Sequence, residues 1–251
     1  MRKAGILLVL LPLVEATYAA VCNPADLQGA YGFQLDGVTT IGSHPEPAVT
    51  VGRLVFDGAG NIAGVSSVSF TGLYLGHSVK GMYRANIDCS VSWSVQDDSG
   101  GDQHFEGSMT PNARRVQFHQ SDSGGPSKGV LVKSGDTCQD GDFQPRYRFS
   151  LSGKQIDVDT ARVAGSVSAS GVLENRNGQL TLTLAAASAP TGSGSLELGD
   201  GCFVTLHLTL PGESSRLLQM NFRGILVDGG RELLGMATDA GTAVSLRLSA
   251  P

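Results

Sequence analysis

Three groups of residues in this sequence have types and spacing that could do chemistry. Ser121-Asp122-Ser123-Gly124-Gly125-Pro126 sets a serine in a glycine-rich turn. There Ser123 would be a nucleophile, and the glycine amides would line an oxyanion hole. His104 and His119 would face each other across a hairpin if 110–113 forms its turn, with Glu106 opposite Gln117 and Ser108 opposite Arg115. Two cross-strand histidines can hold Zn²⁺, but a third ligand is needed, and Asp102 is the only near candidate. Asp97-Asp98 and the acidic turn Asp136, Asp140 and Asp142 could attract Ca²⁺, yet neither follows the spacing of a calcium loop. Tyr31, Phe33, Tyr83 and Trp93 are candidates of another kind. They fall on the apolar faces of their strands, as barrel core or as the lining of a site for a small apolar ligand.

The chain itself weighs these candidates, because it is written twice. Cys22 to Gly37 and Cys138 to Gly153 align without a gap and share Cys, Asp26/Asp142, Gln28/Gln144, Tyr31/Tyr147, Phe33/Phe149, Leu35/Leu151 and Gly37/Gly153. Further on, Phe105/Phe222, Gly107/Gly224, Arg114/Arg231, Asp122/Asp239, Gly124/Gly241 and Leu131/Leu248 hold one constant offset. A repeat of this length is a whole domain rather than a solenoid unit. The serine string resembles the Gly-Asp-Ser-Gly-Gly-Pro element of trypsin-like proteases, which are also two-barrel proteins. In them both barrels mostly precede the serine, whereas Ser123 sits at mid-chain with no Ala-His-Cys element upstream. The second copy writes the same turn as Thr238-Asp239-Ala240-Gly241-Thr242, so the hairpin needs Asp and Gly but not Ser. His104 and His119 become Asn221 and Met236, which favours a solvated strand face over a metal site. His44, His77 and His207 are isolated. Asp26 and Asp142 recur, as an Asx turn or cap before each first strand would. No constellation calls for a cofactor.

Charged residues make up 16% of the 251 residues and the net charge is −5. With no basic patch to neutralise phosphates, nucleic acid is disfavoured as a partner. Residues 1–20 read as a signal peptide: Arg2 and Lys3, then an apolar core from Ile6 to Val14 too short to span a bilayer, then Thr17-Tyr18-Ala19 or Tyr18-Ala19-Ala20 as cleavage site. No later segment is apolar enough for a membrane span. Cys22 lies just after the cleavage site, but Val21 and Ala19 depart from a lipobox, and Cys138 recurs where no lipid could go. Four cysteines in an exported chain imply two disulfides, with three pairings available. One cysteine before the first strand of each copy and one near its middle favour Cys22–Cys89 and Cys138–Cys202.

Beyond the signal, alternation with period two dominates. Val91, Trp93 and Val95 alternate with Ser90, Ser92 and Ser94, and Val204, Leu206, Leu208 and Leu210 with Phe203, Thr205, His207 and Thr209. This is the pattern of half-buried antiparallel strands. Turn signals place strands near 29–36, 48–57, 61–70, 77–86, 89–97, 102–109, 113–121 and 127–133. The second copy gives 144–152, 162–174, 178–186, 191–199, 202–210, 217–226, 231–237 and 243–249. The spacing predicts an all-β chain of two tandem antiparallel eight-stranded up-and-down barrels, at 21–134 and 135–251, lying side by side across a short linker. β-Sandwiches are the alternative. An eight-stranded barrel is either filled by side chains or holds one small ligand, and the first copy carries enough strand to close alone.

Leu27-Gln28-Gly29-Ala30-Tyr31-Gly32-Phe33, Gly81-Met82-Tyr83 and Asp88-Cys89-Ser90 resemble a group of exported bacterial proteins of uncharacterised function. These have a Leu-x-Gly-x-Tyr-x-Phe opening and an Asp-Cys-Ser/Thr element, and the resemblance implies an allene oxide cyclase-type or calycin-like barrel. The second copy departs at Pro145, Arg148 and Gly201-Cys202-Phe203. No catalytic residue transfers. The expectation is a secreted or periplasmic protein that binds a small apolar ligand or acts as an envelope interaction module. A cyclase-like or Ser123 enzyme and a purely structural cell-surface domain are the alternatives.

Overall fold

A computed structural model describes residues 21–251 apart from 42–43, 71–72, 123–125, 187 and 212–216. The signal segment, Ser123 and its two glycines lie outside the described residues. Sixteen strands follow in order: β1 (Gly29–Ile41), β2 (His44–Phe56), β3 (Asn61–Phe70), β4 (Leu73–Ala85), β5 (Ser90–Asp97), β6 (Asp102–Met109), β7 (Arg115–Gln120) and β8 (Ser127–Lys133). The second set is β9 (Arg146–Asp157), β10 (Arg162–Arg176), β11 (Gln179–Leu184), β12 (Thr191–Leu198), β13 (Phe203–Pro211), β14 (Leu217–Val227), β15 (Glu232–Ala237) and β16 (Thr242–Ser249). Each set pairs in sequence order and closes on itself, β1 on β8 and β9 on β16, so there are two up-and-down barrels and no sandwich. Closure leaves neither sheet an open edge.

β2 begins four residues before the expected 48. The added segment holds Pro45 and Pro47; residues 44–47 pair with β1 alone, and β3 joins β2 only from Ala48. A strand with one unpaired side tolerates proline.

The cysteines join as Cys22–Cys89 and Cys138–Cys202. Both second cysteines sit in the left-handed region, at φ 69° and 67°. Other repeated residues tie down the same end. Tyr31 Oη donates to Ala113 O at 2.7 Å and Tyr147 Oη to Gly230 O at 2.7 Å, each pinning the turn between the sixth and seventh strands of its barrel. Burial pushes the Tyr31 phenol up to about 12 and raises Tyr147 as well. Phe33 covers Gly52, where a Cβ would come within 2.4 Å of the ring.

The barrels share a core. Val49, Val51, Val130 and Val132 point outward from the first barrel and join the buried cluster of the second. They meet Ile225, Val227, Leu234 and Met236 on the outer faces of β14 and β15. Gly32 lets the surfaces close: a Cβ there would lie 2.5 Å from Val227 Cγ1. Gln34, fully buried, donates through Nε2 to Gly235 O (2.6 Å) and Leu246 O (3.1 Å) and accepts from Arg247 Nε (2.5 Å). Its amide is satisfied at both ends, as a buried polar group requires. Ion pairs Arg115–Glu232 and Arg114–Asp228 rim the contact. Side-by-side placement follows, but as one continuous hydrophobic junction rather than two bodies on a linker.

Candidate functional site

Within each barrel the strands run between two unlike ends. In the first barrel the disulfide end is closed by Tyr31, Phe56 and Tyr83, whose rings pack edge to face at 5.3 and 4.9 Å. Tyr83 Oη donates to Leu27 O at 3.0 Å. The opposite end differs among the described residues. It holds a cavity of about 450 Å³ whose apolar lining is Leu35, Val38, Ala48, Val68, Phe70, Leu75, Val79 and Val95. Polar residues from the same and neighbouring strands complete it: Thr50, Ser66, His77, Asp97, Ser99, Gln103, Gln120 and Ser127. Below it, Phe33, Trp93, Phe105 and Phe118 form a floor, with Trp93 stacked on Phe105 at 5.2 Å and edge-on to Phe118 at 4.9 Å.

The four aromatic candidates therefore divide. Phe33 and Trp93 lie in the floor of the cavity; Tyr31 and Tyr83 lie in the closed end, with their hydroxyls on backbone carbonyls. The alternation that put all four on one face gives no information about height along the barrel axis.

The polar part of the lining came from no motif. Its signal lies in differences between the copies. Asp97, Gln103, Gln120 and Ser127 face inward where the second barrel has Leu210, Met220, Ala237 and Val244, all buried in its core. The second interior is packed with Phe149, Leu151, Leu173, Leu182, Leu206, Leu208 and Leu246.

Electrostatics at the mouth are local and mostly satisfied. The Ser99 hydroxyl and the Gly101 and Ser99 amides hold the Asp97 carboxyl below its ordinary range. His77 Nδ1 lies 2.8 Å from Asp98 Oδ1, and this hydrogen bond lowers Asp98. Gln120 Nε2 donates to Asp122 at 3.1 Å. Thr50, Ser66 and Gln103 line both the cavity and the gap above the floor, so hydroxyl and amide groups reach the depth of the aromatic rings.

The histidine hairpin differs from expectation. Its loop runs from Thr110 to Arg115, which moves the register by two residues: His119 faces Glu106, and Ser108 faces Gln117. His104 instead holds Asp122, through its amide at 2.7 Å and Nδ1 at 2.9 Å. The second barrel repeats this clamp with Asn221 on Asp239, at 2.6 and 2.5 Å. The repeated aspartate before Gly124 and Gly241 thus ties a hairpin end. Among the described residues no three His, Cys, Asp or Glu side chains gather as a metal site. Asp142 accepts from Gln139 N (2.8 Å) as the notched start of the second barrel, while in the first Asn23 takes the capping role and Asp26 supports it.

No protein-family model and no curated protein matches the sequence. Among solved structures the chain is similar to transferrin binding protein B. The isotype 1 protein from serogroup B Neisseria meningitidis is 8% identical over 90% of this chain and 75% of that chain, with a TM-score of 0.35. A double mutant of the vaccine antigen from Haemophilus parasuis Hp5 is 7% identical over 88% and 76%, also at 0.35. The superposition is loose, and no residue role is carried across it.

Proposed function

We propose that this is an exported, non-enzymatic binding protein whose first barrel receives a small amphiphilic molecule in the cavity at the end away from its disulfide. The apolar body would rest on Phe33, Trp93 and their ring partners, and a polar group would meet Thr50, Ser66 and Gln103. The observation that carries the reading is the contrast between the barrels: inward positions that are leucine, methionine and valine in one are polar and line a cavity of about 450 Å³ in the other. That volume falls in the range of small-molecule sites, which combine apolar walls with a few polar groups. The second barrel, filled and joined through its outer face, is the support. Two disulfides favour an oxidising compartment, periplasmic or extracellular.

Trp93 is the sole tryptophan and reports on the site directly. Titration with N-phenyl-1-naphthylamine, then with medium-chain alcohols as competitors, should change its emission saturably. Copying the second barrel's residues into the cavity (Gln103→Met with Ser127→Val) should remove the response while circular dichroism stays unchanged. A Trp93 signal indifferent to every amphiphile, or equal binding by the filled variant, would refute this use of the barrel and leave it a structural one.

A further inference from the structure

Two arginines line one crevice where the barrels join. Arg53 projects from the outer face of β2 and Arg223 from that of β14, and both line a crevice of about 560 Å³ that also touches Phe203 and Thr205. Among the described residues, Arg53 Nε and Arg223 Nε are the buried side-chain polar atoms that lack a hydrogen-bond partner. A buried donor on a charged group is costly to leave unmet, and folded proteins rarely do so twice in one place. Both side chains are held. The Arg223 guanidinium lies over the Phe203 ring, 4.2 Å from its centroid. Arg53 packs along Gly201, whose Cβ, if present, would lie 3.6 Å from Arg53 Cδ.

The acidic groups nearby do not answer the two cations. Arg53 Nη2 donates to Asp136 O at 3.4 Å and lies 3.6 Å from the Asp136 carboxylate, but that side chain is 89% exposed, where an ion pair contributes little and is easily exchanged. Asp200 lines the crevice without pairing with either arginine among the described residues. The two Nε atoms are closed to solvent, so a ligand would be met by the outer guanidinium nitrogens; two fixed, planar guanidinium groups beside the exposed Thr205 hydroxyl suit an oxyanion that accepts several hydrogen bonds at once. We propose that this crevice binds a small oxyanion, a carboxylate or phosphate, between Arg53 and Arg223. The site is separate from the barrel cavity and does not depend on what that cavity holds.

The test uses the full chain with ¹⁵N-labelled arginine. Inorganic phosphate, and acetate in a parallel arm, are titrated at constant ionic strength against chloride. The Nε–H resonances of Arg53 and Arg223 should move together and saturably with at least one of the two anions, and the arm with the tighter binding names the class. Arg223→Gln should weaken binding roughly tenfold or more, as loss of a charge-assisted hydrogen bond does. Arg53→Lys, which keeps the charge but removes the fork, should weaken it as well. Unchanged Trp93 emission checks folding, and Arg53→Gln replaces Arg223→Gln if the latter does not fold. Resonances that stay still with both anions, or the same saturation in wild type and variants, would overturn the site.

Discussion

At matching positions the two barrels carry opposite residues in two places, inside near the end away from the disulfide and outside along one flank. Inside, Asp97, Gln103 and Ser127 of the first correspond to Leu210, Met220 and Val244 of the second. Outside, Ala30, Gly32 and Gln34 lie buried under the neighbouring barrel, while their counterparts Arg146, Arg148 and Ser150 are exposed. The reverse holds on the other flank, where Ile225, Leu234 and Met236 are buried and Ser108, Gln117 and His119 are exposed. What the copies share is scaffold: cysteine pairing, the tyrosine pin, the aspartate clamp. What they do not share marks the contact and the cavity.

Exchanging residues between the copies tests this directly. The largest effect is expected from Gly32→Arg, which writes the residue of position 148 into the junction. A side chain there meets Val227 and Ile225 at once, and a buried cation gains no partner. The loss should exceed about 4 kcal/mol, whereas Arg148→Gly should cost about 1 kcal/mol or less. Urea denaturation of the pair checks it; similar losses would mean that the flanks are equivalent after all.

The interiors come next. Met220→Gln puts an amide into a packed core and should cost about 1–3 kcal/mol, while Gln103→Met in the open cavity should change stability by under about 0.5 kcal/mol. Comparable values would show that the second barrel is as open as the first. The tyrosine pins follow: Tyr31→Phe and Tyr147→Phe each lose a buried bond to a carbonyl, about 1 kcal/mol apiece, and Tyr147→Phe should cost more because its hydroxyl also accepts from Gln144 N at 2.8 Å. A smaller loss at Tyr147 than at Tyr31 would mean that the shared pin is not used in the second barrel.

Acid should produce the smallest but most one-sided effect. Asp57, Asp88 and Asp97 in the first barrel are held below the ordinary carboxylate value of 3.8 by hydrogen bonds in turns, and Asp98 is held below it by His77 and the Ser78 amide on β4. Among the described residues of the second barrel Asp157 alone shows such a lowered value, and Gly201 stands at the place of Asp88. A lowered folded-state pKa gives stability that is present above the unfolded value and lost as pH falls through the folded one. Below about pH 3.8, Trp93 emission should therefore shift red before the far-ultraviolet signal of the whole chain declines. Asp36 acts in the opposite sense: burial raises it, so its contribution is lost as pH rises through its folded value, and Ser245 and Arg247 limit the shift. Simultaneous loss of both signals would show that the junction makes the chain one cooperative unit.

Much of the scaffold was legible. Period-two alternation and turn residues located all sixteen strands, because strand faces and tight turns leave marks within a few residues of each other. The errors share a cause. Register across the β6–β7 hairpin depends on loop conformation, and Ala113 at φ 50° lengthens a loop that composition alone would have closed earlier. The cavity and the crevice depend on residues from many strands meeting at one height, which no local pattern encodes. Yet Gly32 against Arg148 and Gln117 against Leu234 were visible all along. Reading the repeats for agreement found the shared scaffold; reading them for disagreement would have found the junction.

The junction also has a direction. It joins the β1–β2–β8 side of one barrel to the β14–β16 side of the next, unlike surfaces that could repeat indefinitely in a growing filament. A third unit would need either an apolar landing strip on β9 and β10 or one on β6 and β7. The first is guarded by Arg146 and Arg148 with a run of serines, the second by Glu106, Gln117 and His119. Neither of these flanks repeats the apolar pattern of the junction, so the pair does not present a second time the surface that joins its two halves.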